Sequence, residues 1–223
     1  MKKIIFPLSL LLFIMSAIPA RPGDLPIKEW NTTSENPFVL YISGDGGFNN
    51  FSTGLCTAIS KAGFSITAIN AKSYFWSKKT PEQAANDIGD YLEKKLKERK
   101  NKQIVLAGYS FGADVIPFIA NKLPDSLKKN LLAVVLLSPS SSTDFEIHWT
   151  DILGWNKKRN MDVVAGINKM NVPKTVTIFG SDEDDFPVKD IKLVNYNNEI
   201  LPGGHHLDGD TGKVAGAMVK YFK

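Results

Sequence analysis

One cysteine, Cys56, and three histidines are all this chain offers among the side chains that most often close disulfides or hold transition metals. A single thiol forms no intramolecular bridge, so the fold has to rest on its apolar core, and no second thiolate exists for a metal cluster. Charge of one sign is scarce too. The 27 basic and 23 acidic residues leave a formal +4, and without Lys2 and Lys3 the balance is 25 against 23, a net of +2. There is no arginine-rich stripe of the kind that follows a phosphate backbone, which argues against nucleic acid as a partner. Internal repeats, low-complexity tracts and linkers are missing as well, so nothing marks a seam between domains.

The one long apolar run stands at the start. Met1-Lys2-Lys3 is basic, Ile4 to Ile18 is almost wholly apolar, and Pro19-Ala20 offers a small residue before the polar Arg21-Pro22-Gly23-Asp24. Basic start, apolar middle and small exit are the parts of a secretory signal peptide. The apolar stretch falls short of the roughly 20 residues that span a bilayer, which argues against a retained anchor. Cys56 lies far from the cleavage point, so no thiol stands there to carry a lipid. The expectation is a cleaved leader over residues 1–20, a periplasmic or secreted product, and one domain over residues 21–223, a length that supports one substantial core.

Within that domain, short continuous apolar runs alternate with helical periodicity. Phe38–Ile42, Ser65–Ile69, Ile104–Ala107, Leu131–Leu137, Thr175–Phe179 and Ile191–Tyr196 read as strands. Helices are predicted over about 53–62, 81–99, 113–122 and 212–222. The second of these carries Thr80 as N-cap, Pro81 at the first helical position and Gln83 as capping-box partner. Continuous apolar strands separated by helices indicate an α/β fold with a mostly parallel central sheet covered on both faces.

Gly108-Tyr109-Ser110-Phe111-Gly112 falls between a predicted strand and a predicted helix. A G-x-S-x-G pattern there matches the nucleophile elbow of α/β hydrolases, where serine sits on a strained turn and the flanking glycines let backbone approach closely. The five residues alone are a weak signal, and an ordinary glycine-flanked turn is the competing reading; the strand-to-helix setting is what favours the elbow. A serine hydroxyl needs a base, and the candidates are His148, His205 and His206. The last two follow Gly203-Gly204 in a loop before the final helix, where this fold carries its base. His205 is preferred, His206 is the alternative, and His148 reads as structural or pocket-lining. The paired histidines could also mark a metal site, but no third ligand is obvious beyond Asp208 and Asp210, so no metal and no cofactor are expected. The acid belongs after Ile178-Phe179-Gly180, where Asp182, Glu183, Asp184 and Asp185 crowd together. Glu183 is preferred, with Asp185 and then Asp184 as rivals, and the order serine, acid, histidine is that of the α/β hydrolases.

Gly44-Asp45-Gly46-Gly47 ends the first strand and offers the second oxyanion donor. The backbone N–H groups of Phe111 and Asp45 are the expected pair, with Gly46 in reserve. Glycine-rich loops also cradle phosphates, but no Lys-Ser, Lys-Thr or ribose-binding acid stands in the required place, so a nucleotide site is disfavoured. Tyr74 and Trp76, next to Lys78 and Lys79, serve either to bind an acyl chain or anionic headgroup or to pack under the adjoining helix. The less regular stretch over residues 138–174, with Trp149 and Trp155, is where a small lid would sit.

Taken together, SGDGGF (43–48), YFWSKKTPEQAA (74–85), GYSFGADVIPF (108–118), DFEIHW (144–149) and LPGGHHLDGD (201–210) resemble the VirJ/AcvB family of bacterial virulence proteins. The resemblance implies an α/β-hydrolase fold, a periplasmic location and, for some members, a link to type IV secretion. For the AcvB branch it implies hydrolysis of lysyl-phosphatidylglycerol. Ser110 and one histidine of the His205-His206 pair carry over as catalytic, while the acid falls in a loop that is rich in carboxylates in the family too. AcvB-type proteins have an additional N-terminal region, whereas this chain reads as the hydrolase-like domain alone.

Two functions follow as expectations. One is a serine esterase acting on a small-molecule or lipid ester, with contact to a membrane surface. The other is a non-catalytic periplasmic accessory on the same scaffold, partnering a secretion apparatus.

Overall fold

A computed structural model describes residues 25–148 and 159–223; the expected leader over residues 1–20, Trp149 and Trp155 lie outside them. A seven-stranded sheet forms the centre, in the order β1-β3-β2-β4-β5-β8-β9. Its strands are β1 (Ile27–Trp30), β2 (Phe38–Ile42), β3 (Ile66–Ile69), β4 (Ile104–Tyr109), β5 (Leu131–Leu137), β8 (Thr175–Gly180) and β9 (Tyr196–Leu201). Every pairing is parallel except that of β1 with β3. A separate two-stranded ribbon pairs β6 (Ser142–Thr143) with β7 (Met161–Asp162).

The alternation of strand side chains separates two apolar layers. Phe38, Leu40, Ile42, Ile104, Leu106, Val134 and Leu136 point into a cluster with helices α2 (Ala71–Tyr74), α3 (Pro81–Lys97) and α4 (Phe111–Lys122), and with α6 (Val163–Asn168). Val39, Tyr41, Val105, Ala107, Val135 and Leu137 point the other way, into a cluster with α1 (Asn50–Lys61) and α7 (Thr211–Val219). A sheet covered on both faces has no solvent side, and that is why its strands read as unbroken apolar runs. Each fully buried Val, Leu, Ile or Phe contributes about 1.5–3 kcal/mol relative to exposure. The central strands β2, β4 and β5 therefore form the rigid platform for their C-terminal ends.

The α3 cap forms as its sequence predicts: Gln83 N–H donates to Thr80 Oγ1 at 3.1 Å and Thr80 N–H to Gln83 Oε1 at 2.9 Å. The last strand is a correction. Ile191–Tyr196 is not the strand; only Tyr196 belongs to it, and β9 runs on through Asn197-Asn198-Glu199-Ile200-Leu201. Ile191 and Leu193 instead pack from a loop against the first apolar cluster. At the sheet edge β9 is half exposed, so its sequence is polar and carries no apolar run. The other edge strand, β1, is equally exposed and was missed for the same reason. No helix among the described residues is long and apolar enough to cross a membrane.

Candidate active site

Parallel strands deliver their C-terminal ends to one edge, and β2, β4, β5, β8 and β9 each send a functional loop there. β4 ends in the elbow. Ser110 has φ 51° and ψ −123°, a conformation costing about 1–3 kcal/mol for a residue with a side chain. The glycines on either side are required by close backbone contact. A Cβ at Gly108 would lie 2.5 Å from the carbonyl carbon of Gly112, and one at Gly112 would lie 2.2 Å from the Ile42 oxygen. Ser110 N–H donates to Leu137 O at 2.9 Å, and Ser110 O accepts from Asp114 N–H at 3.0 Å, so the turn is bonded to β5 and to α4 at once. Ser110 holds the N-cap position of α4, yet its hydroxyl makes no capping bond.

That hydroxyl meets His205 instead. Ser110 Oγ is 2.9 Å from His205 Nε2, and His205 Nδ1 is 2.8 Å from Glu183 Oε1. With the carboxylate on the Nδ1 side, that nitrogen carries the proton and Nε2 is left to accept from the serine. Glu183 is fixed through its other oxygen: Oε2 accepts from Ser138 Oγ and from Gly180 N–H, both at 2.7 Å. Partial burial by itself would raise the Glu183 pKa. The hydrogen bonds from His205, Gly180 and Ser138 outweigh that and hold it below the ordinary carboxylate value. The acid and base loops are pressed together backbone to backbone. A Cβ at Gly180 would come within 2.2 Å of Gly203 O and 2.3 Å of Gly204 O.

The other expected residues fall as follows. Asp182, Asp184 and Asp185 are exposed, and Asp182 Oδ1 accepts from the neighbouring Ser181 hydroxyl rather than from a histidine. His206 bonds through Nδ1 to the Tyr109 hydroxyl at 2.7 Å. His148 pairs with Asp144 at 2.8 Å. The β2 loop passes over the elbow: a Cβ at Gly44 would lie 3.5 Å from Ser110 Cβ. Among the described residues, neither the Asp45 nor the Phe111 N–H donates to a protein acceptor.

Tyr74 is buried and packs under the adjoining helix, the second of its two expected uses, and not in the substrate pocket. Its hydroxyl donates to Asp87 at 2.5 Å, and its ring packs edge-on to Phe75, under α3. A phenol beside a helix that offers both apolar surface and a carboxylate is satisfied there, so it does not line the mouth of the site. Trp76 is 44 % exposed. The next layer inward is Phe75, whose ring stacks edge-on to Phe111 at 5.1 Å and to Phe145 at 5.7 Å. Ile147 N–H donates to Phe75 O, and Lys79 N–H to Phe145 O, which joins the segment after β5 to the segment after β3.

Sequence reasoning missed Ser138, Tyr109 and Asp114. Ser138 ends β5 beside the acid's strand and has φ 44°, and its place at a strand end was the available signal. Asp114, buried at 5 % exposure, accepts from Ser140 N–H at 2.6 Å through Oδ1 and so ties the Ser138 loop to α4. Burial raises its pKa well above the ordinary aspartate value. Among the described residues, no three His, Cys, Asp or Glu side chains gather as metal ligands.

Comparison with known proteins agrees with this architecture. The family model described as bacterial virulence protein (VirJ) matches residues 36–223. No curated protein sequence matches the chain. Among solved structures, a hydrolase from Oleispira antarctica superposes with a TM-score of 0.64 at 11% identity, covering 89% of this chain and 94% of that one. A lipase-esterase related protein from Clostridium acetobutylicum ATCC 824 gives 0.63 at 16% identity, with 88% and 99% covered. A thioesterase domain from the curacin biosynthetic pathway gives 0.58 at 12%, with 86% and 94% covered. At these identities the likeness is one of fold, and the fold is that of the α/β hydrolases.

Proposed function

The chain belongs to the VirJ family of bacterial virulence proteins, and from that premise we propose that it is an exported serine esterase. The observation that carries the proposal is the unbroken chain Ser110 Oγ–His205–Glu183, with links of 2.9 Å and 2.8 Å. A binding protein has no use for a hydroxyl, an imidazole and a carboxylate in that order, joined at hydrogen-bond distance on a strained turn.

In the proposed reaction the Ser110 hydroxyl proton passes to His205 Nε2 as Oγ attacks the ester carbonyl. The carbonyl electron pair moves onto oxygen, where the N–H groups of Phe111 and Asp45 receive it; one such donor is worth about 3 kcal/mol. Glu183 steadies the imidazolium that forms. The tetrahedral centre collapses with cleavage of its bond to the leaving alkoxide, which takes the proton from Nε2. Water then repeats the sequence on the acyl-enzyme and releases the acid. No cofactor takes part.

The substrate class follows from the family resemblance: an aminoacyl ester on a phospholipid headgroup, reached from the periplasmic side. Exposed Trp76, with Lys78 and Lys79 next to it in the chain, supports contact with an anionic membrane surface. A fluorophosphonate probe tests the enzyme directly. The mature protein is expected to label on Ser110, Ser110→Ala not at all, and His205→Ala at a rate lower by about three orders of magnitude. Folded wild-type protein that refuses the probe would instead favour the non-catalytic accessory of a secretion apparatus. Turnover of lysyl-phosphatidylglycerol against a simple acyl ester then tests the substrate.

A further inference from the structure

The residue before the nucleophile reaches across to the base. Tyr109 Oη lies 3.2 Å from the His205 carbonyl oxygen and 2.7 Å from His206 Nδ1. Its ring is wedged between Phe51, at a centroid distance of 4.7 Å, and the Gly44 turn, where a Cβ would stand 3.2 Å from Tyr109 Cδ1. The rings of His205 and His206 lie 5.6 Å and 6.4 Å from the Tyr109 ring. The phenol is therefore packed on its flanks and against the histidine rings, with its hydroxyl bonded to the histidine loop.

That loop needs holding. Immediately after His206, Leu207 and Asp208 both adopt left-handed backbone, with φ 50° and 52°, and Gly209 follows at 68°. Two consecutive non-glycine residues in that region each cost about 1–2 kcal/mol. The segment is anchored on its far side by burial of Leu207 in the second apolar cluster and by Leu207 N–H donating to Gly204 O. On its near side the described residues that bond it to the elbow are Ser110, through the His205 ring, and Tyr109.

Resting on the reading of His205 as the base, we propose that Tyr109 is a positioning residue. Its hydroxyl donates to the His205 carbonyl, accepts a hydrogen bond from His206 Nδ1–H, and so fixes the loop that aims the His205 imidazole at Ser110. One hydroxyl proton serves one acceptor at a time, so the bond to the His205 carbonyl requires that His206 be the donor to Tyr109. His206 therefore carries hydrogen on Nδ1, and its role is to free the tyrosine proton for the backbone. Burial, and then the nearby charges of Glu183 and Asp45, push the phenol above its ordinary pKa, so it keeps that proton at neutral pH. Because Tyr109 is covalently joined to the nucleophile, the same turn that lifts Ser110 also holds the residue that Ser110 must meet.

Nitrogen-15 shifts of the histidine rings and fluorophosphonate kinetics test this together. In the wild type the His206 ring is expected to be protonated at Nδ1. Tyr109→Phe keeps the ring packing and removes the hydroxyl. It is expected to slow the labelling step roughly tenfold while leaving probe affinity unchanged, and to broaden the low-field proton of His205 Nδ1–H by faster exchange. A His206 Nδ1 without a proton in the wild type would overturn the proposal, and so would a folded Tyr109→Phe that labels at the wild-type rate. If Tyr109→Phe loses its circular dichroism, the wild-type nitrogen shifts alone decide. Failure of the hydrolase reading looks different: the wild type itself then takes no probe on Ser110, while the His206 shifts still report the bond.

Discussion

At the elbow, Ser110 stands between two glycines whose missing side chains are demanded by backbone atoms only 2.2–2.5 Å from where a Cβ would be. At the loops after β8 and β9, Glu183 and His205 stand among carboxylates and a second histidine, and the sequence prefers them without excluding Asp185 or His206. The first region is specified over five residues. The second is specified by which strand ends are neighbours in the sheet and by bonds spanning tens of residues, such as Ser138 to Glu183 and Ser110 to His205. The difference teaches that a strained turn can be written locally, because sterics act within it, whereas a serine–histidine–carboxylate chain of hydrogen bonds is written across the fold, because orientation depends on neighbours.

Gly112→Ala attacks the local side of that contrast. Its Cβ would meet the Ile42 oxygen at 2.2 Å, and backbone on backbone cannot yield cheaply. A loss of about 3 kcal/mol or more is expected, read as a fall in Tm or failure to fold. Glu183→Gln attacks the long-range side. It is expected to keep the fold and slow probe labelling by about two to four orders of magnitude, because the amide no longer imposes the right tautomer on His205. Asp185→Asn is the control and should leave the rate unchanged; an equal loss there would erase the distinction between the four carboxylates.

Ser138→Ala is a gentler test of the same relay. It removes one of the hydrogen bonds that hold the Glu183 pKa down, at a cost of about 1 kcal/mol. A carboxylate with a depressed pKa adds stability above its unfolded value that is lost as pH falls through its folded value. The stability lost on acidification should therefore be smaller in Ser138→Ala than in the wild type and should level off at a higher pH, measured by Tm against pH.

Asp114 has the opposite sign. Its raised pKa means the folded protein holds that proton more tightly than the unfolded chain, so stability declines as pH rises above the unfolded aspartate value. Asp114→Asn keeps an oxygen for Ser140 N–H and removes the ionisable group. It is expected to raise Tm by a few degrees at neutral pH and to make little difference in acid.

Much of this was legible beforehand. The central strands read correctly because burial on both faces leaves them uniformly apolar, and the α3 cap because Thr80, Pro81 and Gln83 act within one turn. The edge strands were not, since β1 and β9 are half exposed and their hydrogen bonds to a neighbour leave no mark in composition. Tyr74 reads equally well as a pocket aromatic and as packing under the adjoining helix, because nothing near it in sequence reveals Asp87, thirteen residues on.

By itself the sequence determined the α/β alternation, the elbow and the shortlist of two histidines and a cluster of carboxylates, since propensity, periodicity and close packing of small residues act over short stretches of chain. Only the tertiary structure decided that His205 and not His206 bonds to Ser110, that Glu183 of its cluster reaches the imidazole, and that Ser138 bonds to Glu183 and Tyr109 to the histidine loop. Those choices turn on hydrogen bonds a few ångströms long between residues far apart in the chain, and the sheet order sets them.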